Sequence, residues 1–329
     1  MKLAETLRLE PLGGDLARVE ARLDETVRHH DRLLGDVASH LATAGGKRVR
    51  PTLTLCAAYA ATTPAGDPAE AATPEAVTGA VAVELVHMGS LYHDDVIDEA
   101  ETRRGVPSVN ARWSNIVAIL AGDFLLARAS SLAASLGAEV AGLLADTIGE
   151  LCRGQVLELQ HLFDVDRTEA DYASAIEGKT AALFAAACRI GGMVTGVGEA
   201  DLEALTRYGH HLGMCFQVVD DVLDITATDA ALGKPAGQDL VEGVYTLPVI
   251  YALAESDALR TMLGQPVDAD RLSEARRLAA ANGAVEAALG VAHDHAAKAS
   301  KALAGAGGLD PGVCDALGRL VGGLVERDS

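Results

Sequence analysis

Aromatic residues and paired cysteines are both scarce in this chain of 329 residues. Phenylalanine, tyrosine and tryptophan together make up 3% of it, and the apolar fraction of 49% consists mainly of alanine, leucine and valine. These residues suit helices. The five cysteines are scattered and never spaced CxxC. Their pattern argues against a disulfide framework and against a zinc knuckle.

Basic residues are few as well. The chain has 27 Lys and Arg residues against 47 Asp and Glu residues, which gives a formal net charge of −20. A protein that binds nucleic acid in general needs a basic surface, so this charge argues against nucleic acid as a partner. Any anionic ligand must therefore be bound by locally placed cations or by a metal ion.

Long apolar runs are absent from the sequence. The N-terminal segment lacks the apolar stretch that a signal peptide requires. Elsewhere charged residues such as Asp123 interrupt the apolar runs before they reach the roughly 18 residues of a membrane span. We therefore expect a cytoplasmic protein with no transmembrane segment.

Helical periodicity extends over almost the whole chain, and alternating strand patterns are nearly absent. No Gly/Ser-rich linker divides the sequence. We therefore predict an all-α fold, in which one domain spanning residues 1–329 forms a bundle of about ten or more helices around a central cavity. The predicted helices cover roughly residues 15–43, 51–62, 73–98, 112–135, 138–163, 168–195, 198–226, 246–255, 268–283, 287–305 and 311–326.

Two apolar segments, HMGSLYHDDVID and GMCFQVVDDVLD, end in the same DDxxD pattern 126 residues apart. Carboxylates four positions apart lie on one face of a helix and repel each other unless a cation neutralises them. Oxygen ligands suit magnesium, which keeps several waters and favours phosphate co-ligands. One such cluster alone could be a solvated helix end, but two favour helices that bind several Mg²⁺ ions bridging a diphosphate. The candidate metal ligands are Asp94, Asp95, Asp98, Asp220, Asp221 and Asp224.

Cations occur at a few separate places. The turn GGKRVRP, residues 45–51, carries three basic residues before a predicted helix. It lacks the spacing of a P-loop, although its charge and its backbone N–H groups could bind an anion. The alternative is a solvated basic turn, and for the other cations simple ion pairs. Those other cations are Arg103, Arg104, Lys179 and Lys234.

Five motifs, taken in order, resemble the trans-isoprenyl diphosphate synthase (polyprenyl synthetase) family. They are GGKRVRP, HMGSLYHDDVIDEAETRRG, EGKTAALF, FQVVDDVLD and GKPAGQDL, and the resemblance extends from Gly45 to about Pro248. It implies an all-helical enzyme, usually a homodimer, that condenses isopentenyl diphosphate with an allylic diphosphate and uses Mg²⁺. Released diphosphate would accept the final proton, so no dedicated general base is expected.

The resemblance also implies roles for individual residues. The diphosphate of isopentenyl diphosphate would be bound by Lys47, Arg50, His87 and Arg104. The allylic diphosphate would be bound by Arg103, Lys179 and Lys234. Direct Mg²⁺ ligands would be Asp94, Asp98 and Asp220, supported by Asp95, Asp221 and Asp224. Thr180 and Gln217 would offer oxygen dipoles to the developing allylic cation.

One position departs from the family pattern. Family members often carry Lys just before the TLP element, whereas this chain has Val244 in the segment EGVYTLP. We expect weaker binding of the allylic diphosphate, or compensation by a neighbouring cation, and not a loss of activity.

Product length depends on the residues that precede the first DDxxD segment. A helix rises about 5.4 Å per turn, close to one isoprene unit. One turn before Asp94 lie Gly89 and Ser90, and a further turn back lies Val86. None is aromatic, which favours a medium- or long-chain product over geranylgeranyl or farnesyl diphosphate. Alternatively, Gly89 and Ser90 only allow two helices to pack closely.

Two other classes of protein remain as alternatives. A class I terpene cyclase would share one DDxxD segment, but it usually carries a different second metal motif and lines its cavity with aromatic residues. A non-catalytic subunit that binds prenyl diphosphates would typically have lost one aspartate cluster or the cations. This chain keeps both clusters and is poor in aromatic residues.

Overall fold

The computed structural model describes residues 3–62, 70–228 and 235–326. Within these ranges every regular element is a helix apart from one short hairpin, which confirms the all-α prediction. The helices are α1 (Leu3–Leu7), α2 (Leu12–Val27), α3 (Arg32–Thr43), α4 (Val49–Thr62), α5 (Pro74–Ile97), α6 (Val109–Arg112), α7 (Asn115–Ser135), α8 (Ala138–Gln160), α9 (Glu169–Ile176), α10 (Ala182–Met193), α11 (Glu199–Thr226), α12 (Gln238–Glu242), α13 (Leu247–Glu255), α14 (Asp257–Met262), α15 (Ala269–Ala279), α16 (Ala284–Ala304) and α17 (Pro311–Val325).

The long helix predicted over residues 15–43 is wrong, because the chain forms α2 and α3 there with a break between them. Arg28 leaves the helical conformation. The side chain of Asp31 then accepts a hydrogen bond from the backbone N–H of Leu34 at 2.9 Å. An aspartate that caps a helix favours a new start over continuation of the old helix.

Other elements differ from the sequence prediction in their boundaries or were not predicted. The predicted helix 168–195 is interrupted by a π-helical turn, Glu177–Ala181. A two-stranded antiparallel hairpin, β1 (Thr102–Arg103) and β2 (Val106–Pro107), lies in the segment expected to be a loop. Four short helices, α1, α6, α12 and α14, were not predicted.

The chain divides into two compact units. The first consists of Met1–Ile148, Leu183–Gly209 and Ala302–Leu320. Its central helix is α5, which is buried over nearly its whole length and so carries apolar side chains on every side. The single domain expected over residues 1–329 stays a prediction.

Helices α5 and α7 pack closely in the first unit because two glycines face each other. A Cβ on Gly122 would lie 3.1 Å from the carbonyl oxygen of Gly89 and 2.4 Å from Nε2 of His93. Neither position has room for a larger residue without movement of its neighbours. The missing side chains therefore set the distance between these two helices.

The second unit consists of Gly149–Ala182, His210–Lys301 and Val321–Ser329. Its apolar cluster extends from Ile225 of α11 to Ala284 of α16 and includes Tyr245 and Leu259, both fully buried. The hydroxyl of Tyr245 accepts a hydrogen bond from the backbone N–H of Gly264 at 2.6 Å. The guanidinium of Arg167 donates to the Tyr245 carbonyl oxygen at 3.0 Å.

Among the described residues, α7 has the length and composition of a membrane span. Its most apolar 18-residue window has a mean hydropathy of 1.7, and 33% of that window is buried in the chain. The helix therefore meets the criterion for a membrane span even though it contains the charged residue Asp123. The core helix of a soluble protein meets the same criterion, so the expected lack of a transmembrane segment stays a prediction.

Candidate active site

The first aspartate cluster lies at the C-terminal end of α5, in the first unit. Asp94 is half-buried and Asp98 is exposed at the end of the helix, whereas Asp95 is fully buried. Oδ1 of Asp95 accepts a hydrogen bond from Nε of Arg103 at 2.6 Å. Nη2 of the same guanidinium also lies 2.6 Å from this oxygen. Burial raises the pKa of Asp95, against the opposing effect of Arg103. Asp95 is thus held in place by Arg103 of the hairpin. Asp94 and Asp98 lie one helical turn apart.

A set of basic side chains lies behind this cluster in the same unit. Arg104 donates to the carbonyl oxygens of Leu41, at 3.2 Å, and Gly45. Arg50 stacks on the ring of Phe184 at 4.9 Å. Removal of the Arg50 guanidinium from water lowers its pKa to about 10, and its buried Nε has no hydrogen-bond partner. A buried cation with an unused donor is suited to an anion.

Glu84 is the counter-charge of this basic set. Its side chain is 2% exposed, and it accepts a 2.7 Å hydrogen bond from Nη1 of Arg48. Its carboxylate is 4.0 Å from Nη2 of Arg104. Arg48 is paired a second time, with Glu20 at 2.5 Å. Arg48 of the GGKRVRP turn therefore has a structural role.

His87 is held neutral by its surroundings. Loss of solvent lowers its pKa well below the ordinary value, and the charges of Arg50, Arg104, Arg103 and Arg48 lower it further. A neutral imidazole can donate one hydrogen bond to an anion without adding charge. Lys47, by contrast, is an exposed side chain at the turn.

The second aspartate cluster lies on α11, in the second unit. Asp220 is exposed, while Asp221 and Asp224 are buried. Both oxygens of Asp221 are engaged, one by the hydroxyl of Tyr172 at 2.6 Å and the other by Nε2 of Gln217 at 2.8 Å. Burial raises the pKa of Asp221 to about 7, against the lowering effect of these two hydrogen bonds. Asp221 is therefore placed to support its neighbours.

Thr180 and Gln217 contact each other beside this cluster. The hydroxyl of Thr180 donates to Oε1 of Gln217 at 2.7 Å. Because Gln217 also donates to Asp221, the three side chains form one hydrogen-bonded series. The amide oxygen of Gln217 accepts this bond with one of its two lone pairs, and the oxygen of Thr180 likewise keeps lone pairs for another contact.

Lys179 lies in the π-helical turn that also carries Thr180. Its ammonium group forms an ion pair with Glu158 of α8, whose side chain is 13% exposed. The backbone of α8 reaches this turn through Gly154, where a Cβ would lie 2.2 Å from the backbone nitrogen of Lys179. Helix α8 therefore contacts the turn through a backbone and through a side chain.

The segment after the second cluster is only partly described. Asp224 accepts a hydrogen bond from the backbone N–H of Asp239 at 3.3 Å. The N–H of Val244 donates to the carbonyl oxygen of Asp239 at 2.8 Å. Lys234 lies outside the described residues, and its role, like that of Val244, stays a prediction.

The residues expected to set product length all lie on α5. A Cβ on Gly89 would lie 3.1 Å from both the Gly122 carbonyl oxygen and Cγ of Leu126, so Gly89 faces α7. Val86 is buried, and Ser90 is half-buried with its hydroxyl bonded to the His87 carbonyl oxygen at 2.9 Å. Close helix packing thus accounts for Gly89, and the role of all three in product length stays a prediction.

Three residues of the site, Glu84, Glu158 and Tyr172, were not predicted from the sequence. The sequence does contain a feature that marks Glu84, because it is the one charged residue in the apolar run AVAVELV. Tyr172 lies seven residues before Lys179, and Glu158 lies four after Gly154, spacings that place each pair on one helix face. These spacings are too common to indicate function by themselves.

No group of three or more His, Cys, Asp or Glu residues within the described ranges is arranged to hold a metal ion unaided. The available donors at the two clusters are carboxylate oxygens, and Oδ2 of buried Asp95 has no hydrogen-bond partner. Such donors fit a hard divalent cation that completes its shell with water and phosphate oxygens.

Comparisons with known proteins place the chain in a family. Residues 31–280 match the model of the polyprenyl synthetase family. The chain is 44% identical over 295 residues to nonaprenyl diphosphate synthase of Mycobacterium tuberculosis, with 88% of this chain and 86% of that protein covered. It is 44% identical over 245 residues to heptaprenyl diphosphate synthase component 2 of Geobacillus stearothermophilus, covering 74% of each.

Solved structures give the same result. A decaprenyl diphosphate synthase from Rhodobacter capsulatus superimposes with a TM-score of 0.86 at 37% identity, covering 99% of this chain and 98% of that one. A polyprenyl synthase from Caulobacter crescentus, complexed with calcium and isoprenyl diphosphate, gives 0.88 at 34% identity, covering 100% and 98%. With the family model matched over most of its length, the chain belongs to the polyprenyl synthetase family.

Proposed function

We propose that this enzyme condenses isopentenyl diphosphate with an allylic diphosphate to make an all-trans polyprenyl diphosphate of medium or long chain. The observation that carries the proposal is the pair of DDxxD segments, each on its own helix and each next to cations that could bind a diphosphate. The nonaprenyl, heptaprenyl and octaprenyl diphosphate synthases among the relatives support this class of product.

The anion site for isopentenyl diphosphate would be formed in the first unit. Arg50 would contribute its unused Nε, and Arg104 is held in place by two backbone carbonyl oxygens. Neutral His87 would donate a hydrogen bond, and exposed Lys47 would close over the ligand. Lys47, Arg50 and Arg104 outnumber the one buried carboxylate of Glu84, so the site can be locally positive in a protein of net charge −20.

The allylic diphosphate would be bound by the two aspartate clusters through divalent ions, and magnesium is the ion we propose. Asp94, Asp98 and Asp220 would be the direct ligands of these ions, and Asp95, Asp221 and Asp224 would support them. The ions, when bound, neutralise the diphosphate and make it a better leaving group. Calcium accompanies isoprenyl diphosphate in the Caulobacter crescentus relative, which supports a divalent ion at these carboxylates.

The reaction needs little more from the protein than positioning and charge. Lys179, Arg103 and Lys234 bind the allylic diphosphate, and Lys179 exchanges Glu158 for the ligand. The carbon–oxygen bond breaks, and the diphosphate leaves with the electron pair. The oxygens of Thr180 and Gln217 stabilise the allylic cation until the double bond of isopentenyl diphosphate attacks it. Released diphosphate then accepts the proton.

A second subunit is part of the proposal, and we expect a homodimer. Helix α7 exposes a row of large apolar side chains, Ile116, Ile119 and Leu120, of which Ile116 is 71% exposed. An apolar row of this kind on a soluble enzyme is suited to burial against another chain. Two relatives are named component 2 of a heptaprenyl diphosphate synthase, so a different partner chain is the alternative.

One assay tests the proposal. The purified protein is incubated with labelled isopentenyl diphosphate, Mg²⁺ and allylic diphosphates of increasing length, and the products are sized by chromatography. We expect chains longer than geranylgeranyl diphosphate, and no turnover once a chelator removes the metal.

The other outcomes of the assay contradict specific parts of the proposal. A product no longer than geranylgeranyl or farnesyl diphosphate would contradict the chain length. Consumption of the allylic diphosphate alone would indicate a terpene cyclase. A lack of turnover with every substrate would indicate a non-catalytic subunit.

A further inference from the structure

The π-helical turn Glu177–Ala181 interrupts the regular helical structure of the second unit. The N–H of Ala182 donates to the carbonyl oxygen of Glu177, five residues earlier, instead of four. The additional residue rotates the following helix by about 100° relative to an unbroken α-helix. Lys179 and Thr180, two of the residues assigned above to the allylic site, lie inside this turn.

Helix α8 touches the turn backbone to backbone. A Cβ added to Gly154 would lie 2.2 Å from the nitrogen of Lys179 and 2.7 Å from the carbonyl oxygen of Ala175. A Cβ added to Gly178 would lie 2.6 Å from the carbonyl oxygen of Glu150. All three distances are below the 3.0 Å that contacts of Cβ atoms require, and each involves a backbone atom, so a larger residue at either position would force the backbones apart.

The same helix holds the side chain of Lys179. Glu158 lies one turn after Gly154 on α8, and its carboxylate pairs with the Lys179 ammonium group. Thr180, the next residue, is instead bonded to Gln217 of α11 at 2.7 Å. The turn therefore directs the side chain of Lys179 to α8 and that of Thr180 to α11. The close contact between Gly154 and Gly178 fixes the position of the turn's backbone against α8.

We propose that Gly154 and Gly178 are positioning residues for the allylic diphosphate, because their contact fixes the π-helical turn that places Lys179 and Thr180. This inference rests on the proposed function for the identity of the ligand. It adds that the geometry of the allylic site is set by a close approach of two backbones and not by the side chains alone. Neither glycine contacts the substrate in this account.

The test compares Gly154→Ala with Gly149→Ala, a matched change on the same helix. Gly149 is exposed, and a Cβ there would have no neighbour within 4 Å. We expect Gly149→Ala to fold and react like the wild type. Gly154→Ala should raise KM for the allylic diphosphate and lower kcat, by about tenfold to a hundredfold in kcat/KM, because small misplacements of reacting groups are costly. KM for isopentenyl diphosphate should change less than about twofold, since its residues lie in the other unit.

A second measurement does not depend on activity. Hydrogen exchange of the ligand-free proteins should show faster exchange in residues 177–182 for Gly154→Ala and unchanged exchange for Gly149→Ala. Glu158→Gln removes only the ion pair with Lys179 and leaves the backbone contact intact, so exchange in the turn should stay at the wild-type rate. If the wild type proves inactive, the proposed function fails while the exchange result still reports on the contact.

Gly178→Ala serves as the second variant in case Gly154→Ala does not fold. Kinetic constants and exchange equal to those of the wild type in either folded variant would overturn the inference. A uniform fall in affinity for both substrates would also overturn it, as would the unfolding of both variants, because either result would assign the glycines a purely structural role.

Discussion

Glu84 shows how a single buried carboxylate can hold a group of cations in place. Its partner Arg48 is 5% exposed, and Arg104 lies close to the same carboxylate. We predict that Glu84→Gln lowers the free energy of unfolding by about 3 kcal/mol, because the variant removes the buried counter-charge of Arg48 and leaves only the half-exposed Glu20. Urea unfolding measures the change.

Glu20→Gln is the control, since Glu20 pairs with the same arginine but is 46% exposed. Exposed pairs contribute little, so its cost should stay below about 1 kcal/mol. Equal costs for the two variants would show that burial of Glu84 does not determine the strength of its pairing with Arg48.

The lowered pKa of His87 predicts that the stability of the folded protein depends on pH. Its folded pKa lies below the ordinary value because of lost solvation and the charges of Arg50, Arg104, Arg103 and Arg48. The unfolded chain therefore binds the proton more readily, and stability is lost as the pH falls below about 6.5. His87→Gln should remove this contribution, which amounts to about 1 kcal/mol per pH unit.

Unfolding free energies at about pH 7.5 and about pH 5.5 measure this effect. The wild type should lose more stability between the two than His87→Gln does. His30→Gln, which changes an exposed imidazole, should lose as much as the wild type. If His87→Gln is as sensitive to pH as the wild type, the histidine is not held neutral in the folded protein.

At the scale of elements, the contact between α5 and α7 depends on the lack of side chains at Gly89 and Gly122. We predict that Gly122→Ala destabilises the protein by about 1–3 kcal/mol, because the added methyl group meets the His93 ring and the Gly89 backbone. The midpoint of thermal or urea unfolding measures this loss.

Gly142→Ala on α8 provides the comparison. A Cβ at this exposed glycine has no neighbour within 4 Å, and alanine is the better helix former by about 1 kcal/mol. The variant should therefore be as stable as the wild type or more so. If Gly122→Ala matched it, the two helices would have room to separate at no cost.

At the scale of the whole molecule, the exposed apolar row on α7 predicts self-association. Leu120 is 61% exposed, and a glutamate there would have to be desolvated at a chain–chain contact. We predict that Leu120→Glu converts a dimer into monomers while the helical content stays unchanged. Sedimentation velocity and circular dichroism measure the two quantities.

Leu33→Glu is the control for this experiment, because Leu33 is 53% exposed on α3, outside the apolar row. We expect it to leave the association unchanged. A wild type that sediments as a monomer, or a Leu120→Glu variant that remains dimeric, would contradict the proposed use of this face.

Local sequence patterns determined the class of fold and most helix positions. Apolar periodicity placed α5, α7 and α11 within a few residues of their observed bounds, because this signal depends only on neighbouring residues. The break between α2 and α3 was missed because the capping signal of Asp31 competes with continuous periodicity on both sides. The five motifs likewise identified the family from residue order alone.

Tertiary structure decided what each polar side chain does. The sequence does not distinguish the three basic residues of GGKRVRP from one another. In the structure, Arg48 forms ion pairs with Glu20 and Glu84, whereas Nε of Arg50 has no hydrogen-bond partner. The π-helical turn and its glycine contact also depend on a helix some 25 residues away in sequence. Periodicity and motif order are local properties of the chain, whereas burial, charge pairing and close backbone approach exist only once distant segments pack together.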